Sequence, residues 1–296
     1  MNSPKAHEIN FIPRRKFFIG FDSDGCVFDS MEIKHRECFI PALIWKWDLQ
    51  AVSKYARECH EFVNLYSTWR GINRYPALIR TLELLAARIE SRDRGYIPRD
   101  ISPLKTWIAN EKQLGNSTLA AAVAQSHDPL LALTLEWSEL VNARISEMVY
   151  GVPPFPLVRE SLLHARADCD ILVVSQTPAA ALRREWEEHN INSFAQCICG
   201  QEMGSKEQHL AATCVGKYAP DHTLMIGDAP GDLKAARSAD ALFFPIIPNR
   251  EVESWQRFSS EGYSRFMKGQ FRGAYQNALL AEFEKALPNK ATWEKL

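Results

Sequence analysis

The chain has 296 residues, 46% of them hydrophobic, with 35 basic and 36 acidic side chains and a formal net charge of −1. This is enough for one large or two modest domains with cores of their own, and the balanced charge excludes a global field drawing the protein to nucleic acid or a membrane. No apolar stretch approaches the ~18 residues of a membrane span; the seven scattered cysteines (Cys26, Cys38, Cys59, Cys169, Cys197, Cys199, Cys214) form no disulfide framework, so a reducing cytoplasm is the expected compartment.

Taken in chain order, Arg14-Arg15-Lys16 reads as a solvated lead-in, because no separate apolar core and small-residue cleavage site accompany it. Residues 17–21 are apolar without alternation, the pattern of a strand buried on both faces of a parallel sheet. That strand delivers Asp22 and Asp24 to its carboxyl end, the edge where open α/β sheets bind ligands. Residues 32–152 then carry almost no strand signal and read as an inserted all-α domain. Pro76 opens an amphipathic stretch with Leu78, Leu82, Leu85 and Ile89 on one stripe. Ser102-Pro103 and Asp128-Pro129 are cap-plus-proline starts. The last helix carries Leu133, Trp137, Leu140 and Met148 and stops at Gly151 with Pro153-Pro154. Trp45, Trp47, Trp107 and Trp137 read as core, and His35 as a packed histidine. Trp69-Arg70-Gly71-Ile72-Asn73-Arg74-Tyr75 breaks the helical period. Arg70 or Arg74 there could grip an anionic group of a ligand, or both could lie over an interhelix loop.

Four more strand-like runs follow, at 171–174, 196–199, 223–227 and 241–247. Thr177 reads as the N-cap of a helix with Pro178 at its first position, running toward Asn190. Ser205 caps another that ends near Gly216. Strand–helix alternation of this kind predicts a parallel sheet with crossover helices. The expected fold class is therefore α/β: a Rossmann-like parallel-sheet core from residues 1–31 and 153–296, with the all-α domain inserted at 32–152. The segment 251–296 reads as a C-terminal extension of surface helices, with Phe266, Phe271 and Tyr275 as docking contacts. Cys197-Ile198-Cys199 lacks the two-residue spacer of common zinc sites.

Chemistry-bearing residues recur at strand ends and helix starts: Asp22-Ser23-Asp24-Gly25, Ser175, Lys206, and Gly227-Asp228-Ala229-Pro230-Gly231-Asp232. Each alone is an ordinary turn or cap; together they fit phosphoryl transfer. A carboxylate can attack phosphorus, and the rest of the work is positioning and charge stabilisation. Asp22, Asp228 and a phosphate would repel one another at close range. A hard cation such as Mg²⁺, which prefers carboxylate and water oxygens, removes that repulsion. Ser175 can donate to a phosphate oxygen, and Lys206 adds positive charge beside a helix N-terminus. Asp24 could protonate the leaving oxygen and then accept a proton from water.

At these residues the chain resembles the haloacid dehalogenase superfamily. Asp22-Ser23-Asp24-Gly25-Cys26-Val27-Phe28-Asp29-Ser30 and Gly227-Asp228-Ala229-Pro230-Gly231-Asp232-Leu233 resemble the opening and closing motifs of its phosphoglycolate phosphatase and β-phosphoglucomutase branch. The resemblance implies Asp22 as nucleophile and Asp24 as acid/base. It implies that Ser175 and Lys206, with Gln176 beside them, hold phosphate. Mg²⁺ would be bound by Asp22, Asp228 and the main-chain carbonyl of Asp24, with Asp232 in support, and the helical insert would be the cap domain. Cys26 stands where the family usually has Thr, Glu207 where a proline is common, and the insert is larger than usual. Aspartate at position 24 suits ester cleavage rather than dehalogenation. The implied activity is a Mg²⁺-dependent phosphatase acting on a small phosphorylated metabolite. A phosphomutase and a phosphate-ligand-binding protein on the same scaffold are the alternatives.

Overall fold

Five parallel strands make the sheet: β1 (Phe17–Phe21), β2 (Cys169–Val174), β3 (Cys197–Cys199), β4 (Thr223–Gly227) and β5 (Leu242–Pro245). Their order is β3-β2-β1-β4-β5, which puts β1 in the middle. The structure is a computed structural model and describes residues 9–295. Phe21 is level with Val173 of β2 on one side and Ile226 of β4 on the other. Phe17, Ile19 and Phe21 enter one apolar core with Ile171, Val173, Leu224 and Ile226. Phe18 enters a second with Leu172, Val174, Met225 and Phe243. Both faces of the strands are thus covered, which is why residues 17–21 show no polar alternation.

The chain divides into two compact units. One comprises the segment up to Ser30 together with Gly151–Leu287; the other comprises Met31–Tyr150 and Pro288–Leu296. The segment from Pro288 onward, read from the sequence as part of the core's extension, therefore groups with the helical unit. Within the sheet-bearing unit the helices after residue 250 are not superficial. Trp255, Phe258, Phe266 and Phe271 are fully buried, and Tyr275 packs beside them. Their apolar side chains line one face of the sheet instead of docking on its outside.

In the helical unit no strand occurs among the described residues. Its core joins Phe39, Leu43, Trp47, Phe62, Leu78, Leu82, Leu85, Trp107 and Trp137. Trp45 does not belong to that core; it is 57% exposed, with Lys46 over its ring. Helix starts differ from the sequence reading at Pro76 and at Ser102. Helix Arg74–Ala87 begins two residues before Pro76, because the Asn73 side chain accepts from the Tyr75 N–H. Helix Ser102–Asn110 already includes the serine, so Ser102 is not its cap; the N-cap position is Ile101, without a side-chain cap bond, and the Ser102 N–H donates to Asp100 Oδ1 at 3.0 Å. Asp128 is the expected cap, accepting from the N–H groups of Leu130 and Leu131. Ile89 leaves the Leu78/Leu82/Leu85 stripe, because Arg88 is extended and Ile89 starts a new short helix, exposed.

Residues Lys34–Phe39 form a π-helical turn immediately before helix Ile40–Lys46. Pro41 follows it, and a proline ring collides with the carbonyl four residues earlier in a regular α-helix. A widened turn relieves that collision. His35 sits in this turn and packs as expected, its Nδ1 3.0 Å from Nε2 of buried His60. Burial pulls the His60 imidazole down to about 3, and burial followed by the neighbouring His60 pulls His35 well below its ordinary range. The folded state thus excludes protons that an unfolded histidine binds below about pH 6.5. Stability contributed by His60 is complete above that pH and is lost as pH falls toward about 3. Chemical denaturation across this window should show a slope of about 1.4 kcal/mol per pH unit for that one proton. His60→Gln should flatten the curve by that amount, and parallel curves for parent and variant would contradict the assignment.

Candidate active site

Asp22 is the first residue beyond β1, and its N–H donates to the Ile226 carbonyl of β4 at 2.9 Å. The register that levels Phe21 with Val173 and Ile226 brings the ends of β2 and β4 to either side of it. Asp228 follows β4 directly, and Ser175 follows β2. Asp232 belongs to the first turn of helix Pro230–Ser238. One carboxylate oxygen from each of Asp22, Asp228 and Asp232 lies within 4.8 Å of the others, and all three residues are buried.

Lys206 enters this cluster from helix Lys206–Thr213. Ser205 and Gln208 fix the helix start reciprocally. The Ser205 Oγ accepts from the Gln208 N–H, and the Gln208 Oε1 accepts from the Ser205 N–H. Glu207, in place of a proline, does not displace that start. Lys206 Nζ lies 2.9 Å from Asp22 Oδ2 and 2.6 Å from Asp232 Oδ1. The other oxygen of Asp232 accepts from the N–H groups of Asp228 (3.2 Å) and Ala229 (3.0 Å). Asp232 therefore braces the loop that carries Asp228 and anchors the lysine. Gly227 makes room for it: a Cβ at 227 would lie 2.4 Å from Asp232 Cγ.

Burial drives the Asp22 carboxyl well above its usual range, and Asp232 and Asp228 push the same way against Lys206. Burial alone would lower Lys206, but the carboxylates of Asp22 and Asp232 outweigh it and raise the lysine. Three carboxylates and one ammonium leave two formal negative charges in excess. Closely spaced buried carboxylate oxygens of this kind fit a hard divalent cation.

Asp24 is held apart from this cluster by two hydroxyls. Ser30 Oγ donates to one oxygen and Thr177 Oγ donates to the other at 2.7 Å. Thr177 is thus not the cap of the helix that follows; that helix runs Ala179–Glu188, and its N-cap is Pro178. The Ser175 Oγ accepts from the Thr177 N–H at 3.2 Å, shaping the turn after β2. The Gln176 amide donates to the Gly204 carbonyl at 3.1 Å and so ties that turn to the residues before Lys206.

Sequence reasoning missed two indole braces. Trp186 Nε1 donates to Ser23 Oγ at 3.0 Å, and Trp255 Nε1 donates to the Cys26 carbonyl at 2.9 Å. Neither tryptophan falls in a motif; a buried indole beside a loop declares itself only in three dimensions. Cys26 is buried with its Sγ 3.6 Å from the Ile226 carbonyl, and burial pushes its thiol up. Arg70 and Arg74 lie in the helical unit. Arg70 Nη1 donates to the Leu65 carbonyl. Arg74 lies over the Phe39 ring and donates to Ser138 and Asn142.

Comparison with solved structures gives a protein described as a haloacid dehalogenase-like hydrolase from Bacteroides fragilis, with a TM-score of 0.50 and 15% identity over 81% of this chain and 93% of that one. The chain has the haloacid dehalogenase-like fold. A predicted phosphoglycolate phosphatase from Haemophilus somnus is similar over 81% of this chain and 93% of its own, at 17% identity and a TM-score of 0.47. A protein described as a β-phosphoglucomutase, from Bacteroides vulgatus, is similar over 87% and 92%, at 14% identity and 0.46. No protein-family model and no curated protein matches the chain.

A divalent cation bound by the carboxylates should raise the thermal midpoint. Any such cation at 100 times its dissociation constant would stabilise by about 2.7 kcal/mol. Asp228→Asn should abolish that upshift, and Gly227→Ala should weaken it by displacing Asp232. An equal upshift in all three proteins, read by scanning calorimetry, would place the cation elsewhere.

Proposed function

We propose that the protein is a Mg²⁺-dependent phosphatase that hydrolyses a small phosphorylated metabolite through an aspartyl-phosphate intermediate. The observation that carries this reading is the convergence of Asp22, Asp228 and Asp232 within 4.8 Å, with Lys206 bridging Asp22 and Asp232. Asp22 is the nucleophile: its carboxylate oxygen forms a bond to phosphorus as the ester oxygen leaves. Asp24 delivers a proton to that leaving oxygen, then accepts one from the water that cleaves the acyl phosphate. The hydroxyls of Ser30 and Thr177 suit both halves of the cycle, since a hydroxyl can donate to a carboxylate and accept from a carboxylic acid. Lys206 and Ser175 stabilise the charge on the transferring group. Mg²⁺, held by Asp22, Asp228 and the Asp24 carbonyl with Asp232 in support, would supply neutralisation of that charge.

The buried cluster itself supports the cation requirement. Burial and the neighbouring carboxylates of Asp232 and Asp228 raise the Asp22 carboxyl against the pull of Lys206, and an added cation would act in the lysine's direction, favouring the nucleophilic anion. Gln176, Arg70 and Arg74 are proposed substrate contacts, and the compartment we propose is the cytoplasm.

Asp22→Asn should abolish turnover of p-nitrophenyl phosphate. Asp24→Asn should lower it by ~10²–10⁴-fold while the Mg²⁺-dependent thermal upshift persists. Activity unaffected by EDTA, or a parent-like rate in Asp22→Asn, would refute the assignment. With a hexose phosphate as substrate, released phosphate marks hydrolysis and an isomerised sugar phosphate marks a mutase. Arg70→Ala and Arg74→Ala should raise KM for the physiological ester more than for p-nitrophenyl phosphate; equal effects would give both arginines a purely structural role.

A further inference from the structure

Among the described residues β3 is an edge strand, paired only with β2. Cys197 and Cys199 occupy alternate positions along it, so their side chains leave the same face. Their sulfurs stand 3.6 Å apart. Cys199 is buried, whereas Cys197 keeps part of its surface in solvent. The other five cysteines are all buried, so the half-exposed thiol and its neighbour form a pair unlike the rest. We propose that Cys197 and Cys199 are a dithiol modification site, reversibly oxidised to an intrastrand disulfide by small-molecule disulfides.

Two residues along a strand span about 6.6 Å, within the ~4.4–6.8 Å of α-carbon separations that disulfides bridge. The Cys199 S–H aimed at Cys197, outweighing burial, lowers the Cys197 thiol to about 7, with help from Arg183; Cys199 itself is raised. Cys197 is therefore the attacking thiolate. It displaces one thiolate from the small disulfide, forming a mixed disulfide at Cys197. Cys199 gives its proton to solvent, its sulfur attacks that of Cys197, and the second small thiolate leaves. Two protein thiols are oxidised and one small disulfide is reduced to two thiols.

The strand end has little slack. The Cys199 carbonyl accepts from the Ser175 N–H, and the Gln201 N–H donates to the Thr177 carbonyl. Between them Gly200 touches the Thr177–Ala179 backbone so closely that a Cβ there would come 2.4 Å from the Ala179 nitrogen. The α-carbon span lies near the upper end of the bridgeable range, so closing the disulfide draws on the strand. The displacement passes to the turn carrying Ser175 and Thr177, whose hydroxyl holds Asp24. Oxidation should therefore slow phosphate release, a consequence that rests on the function proposed above.

The test equilibrates the full chain with reduced and oxidised glutathione at fixed ratios, quenches with N-ethylmaleimide, and reads intact mass and peptide maps. Oxidising mixtures should remove two hydrogens from the peptide holding both cysteines, and dithiothreitol should restore them. Cys199→Ser should retain one glutathione at Cys197, and Cys197→Ser or Cys197→Ala should show neither product. Alkylation of both thiols at every ratio, or a bond to a different cysteine, would overturn the proposal, and parent-chain mapping alone suffices to show either. Full oxidation should lower turnover of p-nitrophenyl phosphate by about tenfold or more. An unchanged rate would sever the link to the Ser175 turn. A reduced chain without any phosphatase activity would reject the function, while the mass result would still decide the disulfide.

Discussion

Lys206 bonds to two of the three buried carboxylates, Asp22 and Asp232, and the end of the sheet is organised around that contact. Carboxylates taken out of water a few ångströms apart repel strongly, and a buried ion pair rarely recovers its desolvation. Such an arrangement is poor for stability, so its presence argues for use. Much of the local structure keeps the lysine and the carboxylates in place. The Ser205–Gln208 box fixes the helix end from which Lys206 projects. Asp232 spends one oxygen on the lysine and the other on two backbone N–H groups. The absence of a side chain at Gly227 leaves the space that Asp232 fills.

The middle of the sheet was legible because its physics is local. An unalternating apolar run can only be covered on both faces, and the residue after it must emerge at the ligand-binding edge. This located Asp22, and the same logic located Asp228 after β4. Lys206 was legible through its cap, since Ser205 announces a helix start immediately before it. Legibility failed where a side chain had two possible partners. Thr177 has the form of an N-cap, yet its hydroxyl reaches Asp24, 153 positions away in the chain. Asn73 took over the helix start that the nearby Pro76 had suggested. Trp45 carries the same composition signal as Trp47, but only the fold shows which of two neighbouring indoles faces the core.

Residues 251–287 illustrate the same limit in another way. Their polar composition resembles that of surface helices, and their aromatics resemble a docking stripe. In the fold those aromatics complete the core beneath β1, β4 and β5. The Trp255 ring lies parallel to that of Phe21, with centroids 6.3 Å apart, while its indole nitrogen holds the Cys26 carbonyl. The first motif is therefore clamped from two helices remote in sequence, Trp186 at Ser23 and Trp255 at Cys26. Catalytic geometry depends on such restraint, because rates respond to displacements of about 1 Å. On this view Cys26 fits as a small apolar filler. Its sulfur rests against the end of β4, and the loop's position is set by the indoles on its backbone and on Ser23, so a hydroxyl at 26 is not needed to define the turn. The C-terminal helices thus help to position Asp22 and Asp24, through the packing of Trp255 on Phe21 and its hydrogen bond to Cys26, more than 200 positions away in the chain.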